Sequence, residues 1–276
     1  MEIHKDMGDQ TSHSPGATTH SPANKRRMAL MTTQRVAIVT GAAGGLGLAV
    51  AKQLGEDGYA LFLLDRDADG LRASADVLRA DGYTTDTEVC DLTDSASVAR
   101  AVDAHTRLGT LKALANIAGI WARGRLAEVS VEDFDLLVGI KLRGDFLTIK
   151  SAIPWMQQNG GGAIVNISSM SGRTSSQQTS TSYVAANAGI IGLTMSAAKQ
   201  YAVDNIRVNC IAPGMIDTPM MANYTPEELG AICREIPLGR LSDPSEIADV
   251  VSFLISEKAS YITGETINAN GGMFMV

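Results

Sequence analysis

The chain alternates between two kinds of segment from Arg35 onward. Short, continuous apolar runs of strand length are separated by longer stretches with helical apolar spacing. The runs "RVAIVT" (35–40), "YALFLLD" (59–65), "TDTEVCD" (85–91), "LKALANIAG" (111–119), "GGAIVNISS" (161–169) and "IRVNCIAPG" (206–214) read as strands. The helical stretches between them are 46–58, 68–82, 94–109, one long region 130–157, and 181–203. A strand with no polar alternate positions is buried on both faces, and helical connections between such strands imply a parallel sheet covered on both sides. Right-handed crossovers then give a single-domain α/β fold, a doubly wound, Rossmann-like parallel sheet, over residues 34–276. Residues 1–33 are rich in Ser, Thr, His, Pro and Gly and lack an apolar period, so they read as a disordered tail. Lys25, Arg26 and Arg27 are followed by no apolar segment of signal-peptide type.

Charge and the scarce residue types narrow the function classes. The net charge is -7 and the body has no Lys/Arg cluster, so neither nucleic acid nor an anionic membrane is expected as partner. No apolar run approaches the ~20 residues that span a bilayer. Cys90, Cys210 and Cys233 are far apart and odd in number, which suits a reducing compartment and a cytoplasmic location. His105 is the one histidine in the body, so a histidine metal site or a Ser-His-Asp triad is not expected.

The first strand runs into "TGAAGGLG", Thr40 to Gly47. Glycines at 41, 45 and 47, with Leu46 opening the helix, let a pyrophosphate approach bare backbone at a helix N-terminus. Asp65 ends the second strand twenty residues after Gly45, where a carboxylate can accept ribose hydroxyls and repel a 2′-phosphate. Arg66 follows it and partly offsets that charge. The expected cofactor is NAD.

Together with these motifs, further ordered matches make the chain resemble the short-chain dehydrogenase/reductase family over nearly all of 35–276. The glycine pattern matches at Thr40, Gly41, Gly45 and Gly47. "CDLTD" supplies Asp91 and Leu92, which the resemblance puts beside the adenine. "ANIAG" matches at Asn116, Ala118 and Gly119, with Ile117 replacing a second asparagine. "APGMIDT" supplies Pro213, Gly214, Ile216 and Thr218, which in the family hold the nicotinamide carboxamide. By the same resemblance Ser169 polarises the substrate oxygen, Tyr183 transfers the proton, and the protein is a homo-oligomer, tetramer or dimer.

Two departures fall on catalytic positions. The family's lysine four residues after the tyrosine is Asn187, and its asparagine in the middle helix is Lys141, within "IKLRG". The residue types are exchanged. Asparagine gives no Coulombic help to a tyrosinate, whereas Lys141 has a flexible stem that can bring an ammonium in from the neighbouring helix. A lysine snorkelling to solvent is the competing reading.

On the substrate side stand Trp121, Arg123 and Arg125 after Gly119, then Met170, and then Met215, Met220, Met221 and Tyr224 in a segment that the family uses as a lid. Methionines adapt to varied apolar shapes. These residues suit a medium-sized, partly apolar carbonyl or alcohol, with an acidic group an option if the arginines face it. The expected activity is NAD-dependent interconversion of a secondary alcohol and a carbonyl. The competing readings are non-redox chemistry in the same pocket (epimerisation, dehydration, rearrangement) and dinucleotide binding without catalysis.

Overall fold

The computed structural model describes residues 34–175 and 179–276, with the side chains of Met220 and Asn223 excepted. The expected tail, 1–33, lies outside the described residues, as do Ser176, Gln177 and Gln178 of the polar segment before Tyr183. Seven strands form one sheet: β1 (Arg35–Thr40), β2 (Ala60–Asp65), β3 (Thr85–Val89), β4 (Thr110–Asn116), β5 (Gly162–Ile167), β6 (Ile206–Pro213) and β7 (Thr266–Ala269). Their order is β3-β2-β1-β4-β5-β6-β7, and every pairing is parallel. The order reverses between β1 and β4, so a crevice opens there beyond the carboxyl ends of the strands.

Alternate residues of each strand enter opposite layers. Ala37, Val39, Leu61 and Leu63 pack with Val50 and Leu54 of α1 (Gly45–Glu56), Leu71 and Leu78 of α2 (Ala68–Ala80), and Val251 and Leu254 near the C-terminus. Val36, Ile38, Phe62 and Leu64 pack on the other face, against Val98 and Val102 of α3 (Ser95–Asp103) and against two later helices. Both faces are therefore dry, which is what continuous apolar strands require. Each buried Val, Leu, Ile or Phe side chain among them contributes about 1.5–3 kcal/mol of transfer free energy.

The long helical region expected over 130–157 is interrupted. It consists of α4 (Val131–Val138), a π turn (Gly139–Arg143) and α5 (Gly144–Gln158). A π turn adds a residue to the helical ladder and rotates the helix on its C-terminal side, and such turns recur at functional sites. Here Lys141 sits on the turn and is buried. Next comes α6 (Thr181–Tyr201), capped by Ser180, whose Oγ accepts from the Tyr183 N–H at 3.3 Å.

Two further helices, α7 (Pro226–Glu235) and α8 (Pro244–Ile255), add to the elements expected from the apolar pattern. Each opens with a capping box and a proline in the first turn: Thr225 with Glu228, and Asp243 with Glu246. That signature is local and is present in the sequence.

Beneath α3 the buried His105 donates from Nδ1 to the Val102 carbonyl at 2.6 Å and meets the Trp155 ring edge-on at 5.2 Å. Burial holds its pKa below 6.5, against the opposing pull of the Val102 hydrogen bond and Asp103. The folded ring stays neutral while the unfolded ring binds a proton, so stability is lost as pH falls below about 6.5 toward the folded value. Denaturant midpoints should drop between about pH 7.5 and pH 5.5. In His105→Gln the midpoint, lower overall, should depend less on pH across that window.

Candidate active site

At the reversal point, β1 and β4 are locked together. Thr40 Oγ1 accepts from the Ile117 N–H at 3.0 Å and the Ala118 N–H at 3.2 Å. Gly41 (φ 68°) lies so close that a Cβ there would fall 2.7 Å from Ala118 Cα. A Cβ on Gly47 would fall 2.0 Å from the Gly41 carbonyl oxygen, so α1 can start where it does only without that carbon. Asp65 ties down the other side of the loop, accepting from Ala43 N–H through Oδ2 and from Asp67 N–H through Oδ1, both at 3.0 Å. The bare loop, the helix start and the carboxylate thus face one cleft.

That cleft has a volume of about 1010 Å³, enough for a large ligand. Gly41, Gly45, Leu46, Gly47, Asp65, Arg66, Asp91, Leu92, Ala118, Gly119, Pro213, Gly214, Ile216 and Thr218 all line it. Lys141, Ser169, Met170, Tyr183, Trp121, Met215 and Tyr224 line it too. Asp91 is held below the ordinary carboxylate range by hydrogen bonds from the Thr93 hydroxyl and N–H. Residues not anticipated from sequence also line the cleft, among them Ser168, Glu228, Glu235 and Met273.

Three sequence expectations are corrected. Asn116 is not on the cleft wall. It is buried in a polar chain, donating to Asn166 Oδ1 at 2.9 Å and accepting from the Thr148 hydroxyl at 2.8 Å, and so it joins strands. Arg123 does not face the cleft interior. Its guanidinium lies 5.0 Å from the Trp121 ring centroid and 4.6 Å from that of Tyr224, a stacking that satisfies the cation outside the pocket. Asn187 is fully buried on α6 and forms none of the cleft wall. Its Nδ2 donates to the Tyr183 carbonyl at 2.8 Å, and its Oδ1 has no partner. The side chain of Met220 lies outside the described residues.

Lys141 is 4% exposed, which removes the snorkelling reading. Its Nζ donates to the Ile167 carbonyl at the end of β5 at 3.2 Å and lies 5.9 Å from the Tyr183 ring centroid. It also packs on Gly119, where a Cβ would approach Nζ to 2.8 Å. Ser169 caps a short turn, accepting from the Ser171 N–H at 3.1 Å, while Ser168 donates to the Asn187 carbonyl at 2.8 Å and anchors the strand end to α6. Asp145, one helical turn after Lys141, is also buried; burial drives its carboxyl well above the ordinary range, with Lys141 pulling the other way. Among the described residues, no group of His, Cys, Asp or Glu could hold a metal ion, and no helix is long and apolar enough to cross a membrane.

Comparison with known proteins agrees with this geometry. A family model described as enoyl-(acyl carrier protein) reductase matches residues 41–274. The chain is 40% identical over 241 residues to a cis-4-hydroxycyclohexanecarboxylate dehydrogenase of Sinomonas cyclohexanicum, covering 87% of this chain and 96% of the relative. It is 36% identical over 244 residues to a 3-oxoacyl-[acyl-carrier-protein] reductase of Rickettsia felis, covering 88% and 98%. A crystal structure of an actinorhodin polyketide ketoreductase variant with NADPH superposes with a TM-score of 0.83 at 33% identity, covering 88% of this chain and 99% of that one. With the sheet order, the glycine loop and the matched length in agreement, the chain belongs to the short-chain dehydrogenase/reductase family.

Proposed function

We propose that the protein is an NAD-dependent oxidoreductase interconverting a secondary alcohol and a carbonyl on a medium-sized, partly apolar, uncharged substrate. The observation that carries this reading is the buried Lys141 ammonium 5.9 Å from the Tyr183 ring, in the cleft shared with Ser169 and the glycine loop. Gly41, Gly45 and Gly47 would hold the pyrophosphate against the N-terminus of α1, and Asp65 the adenosine ribose. The nicotinamide, when bound, supplies hydride exchange with the substrate carbon. Ser169 would hydrogen-bond the substrate oxygen. Tyr183 would give or take its proton, helped by the positive charge of Lys141, since a nearby cation favours the tyrosinate. On this reading Lys141 does from the π turn what the family's lysine does from the tyrosine's own helix.

Charge supports the choice of cofactor. At the end assigned to adenosine the lining carries two carboxylates, Asp65 and Asp91, against one guanidinium, Arg66. A 2′-phosphate would meet a net negative wall. The substrate end carries Glu228 and Glu235, while Arg123 is engaged by its two aromatic neighbours, so an anionic substrate is disfavoured. Relatives that act on acidic or carrier-bound substrates do not transfer that property to this wall. Phe146 and Met195 are exposed apolar side chains on α5 and α6, consistent with a homo-oligomer paired through these helices; light scattering giving a monomer mass at micromolar concentration would count against that.

Three outcomes test the reading. By calorimetry, NAD should bind at least roughly tenfold tighter than NADP, about 1.4 kcal/mol, and Asp65→Ser should narrow the gap. In a substrate screen followed at the reduced-nicotinamide absorbance, Tyr183→Phe and Lys141→Ala should each lower turnover by roughly 10²-fold or more. Turnover with no net absorbance change would move the reading to non-redox chemistry. The double exchange Lys141→Asn with Asn187→Lys should retain more activity than Lys141→Asn alone, because it restores the charge from α6.

A further inference from the structure

We propose that Arg173 is a positioning residue, the tether that fixes the turn carrying Ser169 and Met170 to the edge of the sheet. The proposal rests on the reading of Ser169 as the group that hydrogen-bonds the substrate oxygen. Ser169 caps the short turn Met170–Gly172 that follows β5, and Arg173 comes at its end. Two backbone bonds of 2.9 Å close the turn, from the Gly172 N–H to the Ser169 carbonyl and from the Arg173 N–H to the Met170 carbonyl. Ser169 Oγ accepts from the Ser171 N–H at 3.1 Å, so the hydroxyl goes where the turn goes. A hydroxyl that accepts in this way still has its proton to donate to a substrate oxygen.

Bonds within the turn fix its shape, while contacts with distant segments fix its place. One anchor is α6, so close that a Cβ on Gly172 would fall 2.7 Å from the Asn187 carbonyl carbon. The other is β7, the edge strand of the sheet, which the Arg173 guanidinium reaches. Its Nη1 donates to the Thr266 carbonyl at 3.1 Å and to Asn268 Oδ1 at 3.2 Å. The guanidinium carbon also lies 5.8 Å from the Phe274 ring centroid. Arg173 is half-buried and does not line the cleft, so it holds the wall and does not meet the substrate. The same contacts reach a second piece of that wall. Met273, next to Phe274, lines the cleft. Its loop is closed by Asn270, which donates to the Phe274 carbonyl at 2.9 Å and accepts from the Gly272 N–H at 3.0 Å. Met170 and Met273 thus enter the cleft from two segments far apart in the chain, and Arg173 joins them.

A small displacement of a group that must meet a reacting oxygen is costly to turnover. Two measurements test whether Arg173 prevents it. Hydrogen exchange needs no substrate. In Arg173→Met the Gly172 and Thr174 amides, both bonded within the turn, should exchange roughly tenfold faster or more, while the β5 amides keep their rates. Unchanged exchange in the turn overturns the proposal. The second measurement is a double-mutant cycle on alcohol–carbonyl turnover. Arg173→Met should lower kcat by roughly tenfold or more and leave the KM for the cofactor within about twofold. In a Ser169→Ala background the same change should lower kcat by less than about twofold, because the hydroxyl it positions is gone. An arginine that only stabilises the sheet edge gives equal losses in both backgrounds, and that result overturns the proposal. If Arg173→Met does not fold, Asn268→Ala, which removes one of the two acceptors, takes its place in both measurements and is read in the same way. If Ser169→Ala leaves turnover unchanged, or the wild type shows no nicotinamide-linked turnover, the reading of the site fails, and the exchange rates still decide whether Arg173 tethers the turn.

Discussion

The ends of β1 and β4 come together with no room to spare. Thr40 Oγ1 receives two backbone N–H groups from Ile117 and Ala118, and the bare Cα of Gly41 lies against Ala118. This contact sets how far the two halves of the sheet can part, and therefore how wide the cleft is at the switch point. It also settles the start of α1, because Gly47 must in turn come within van der Waals reach of the Gly41 carbonyl. A side chain at either glycine would force the loop off the sheet and take the Asp65 anchor with it.

The second constraint is electrostatic. The π turn gives up regular helical hydrogen bonding and in return carries Lys141 inward, to the end of β5 and the face of Tyr183. A lysine in that position needs room, which Gly119 provides: a Cβ there would press on Nζ. Asn187 turns its amide back to its own helix at the Tyr183 carbonyl. The neutral side chain at 187 and the charged one at 141 are thus compatible, where two ammonium groups would repel each other.

At the open end of the cleft, Trp121, Arg123 and Tyr224 form a stack that joins the loop after β4 to the segment leading into α7. Arg123 also pairs by a backbone bridge with Thr179, just before the cap of α6. Three separate parts of the chain meet there. An arginine that reads in the sequence as a ligand for an acid is spent on holding the wall together.

Local sequence determined a good deal. Continuous apolar runs such as Val36–Val39 and Leu61–Leu64 specify strands buried on both faces, and the glycine loop followed by Asp65 specifies a helix start facing a carboxylate. These depend on neighbours in the chain, so they can be read from it. The helices at Pro226 and Pro244 are equally legible from their capping boxes, and the second also from the helical spacing of Ile247, Ala248, Val251, Leu254 and Ile255. Tertiary structure decided the rest. Whether Lys141 faces water or Tyr183 depends on a π turn that no spacing announces, and on the Ile167 carbonyl and the Tyr183 ring, both distant in the chain. Whether Asn116 lines the cleft or joins strands, and whether Arg123 faces inward or stacks between rings, depends on partners far away in the chain. The sequence lists the polar groups of the cleft and its walls, but long-range packing alone chooses which of them lose water, as it does for Lys141 and Asn187.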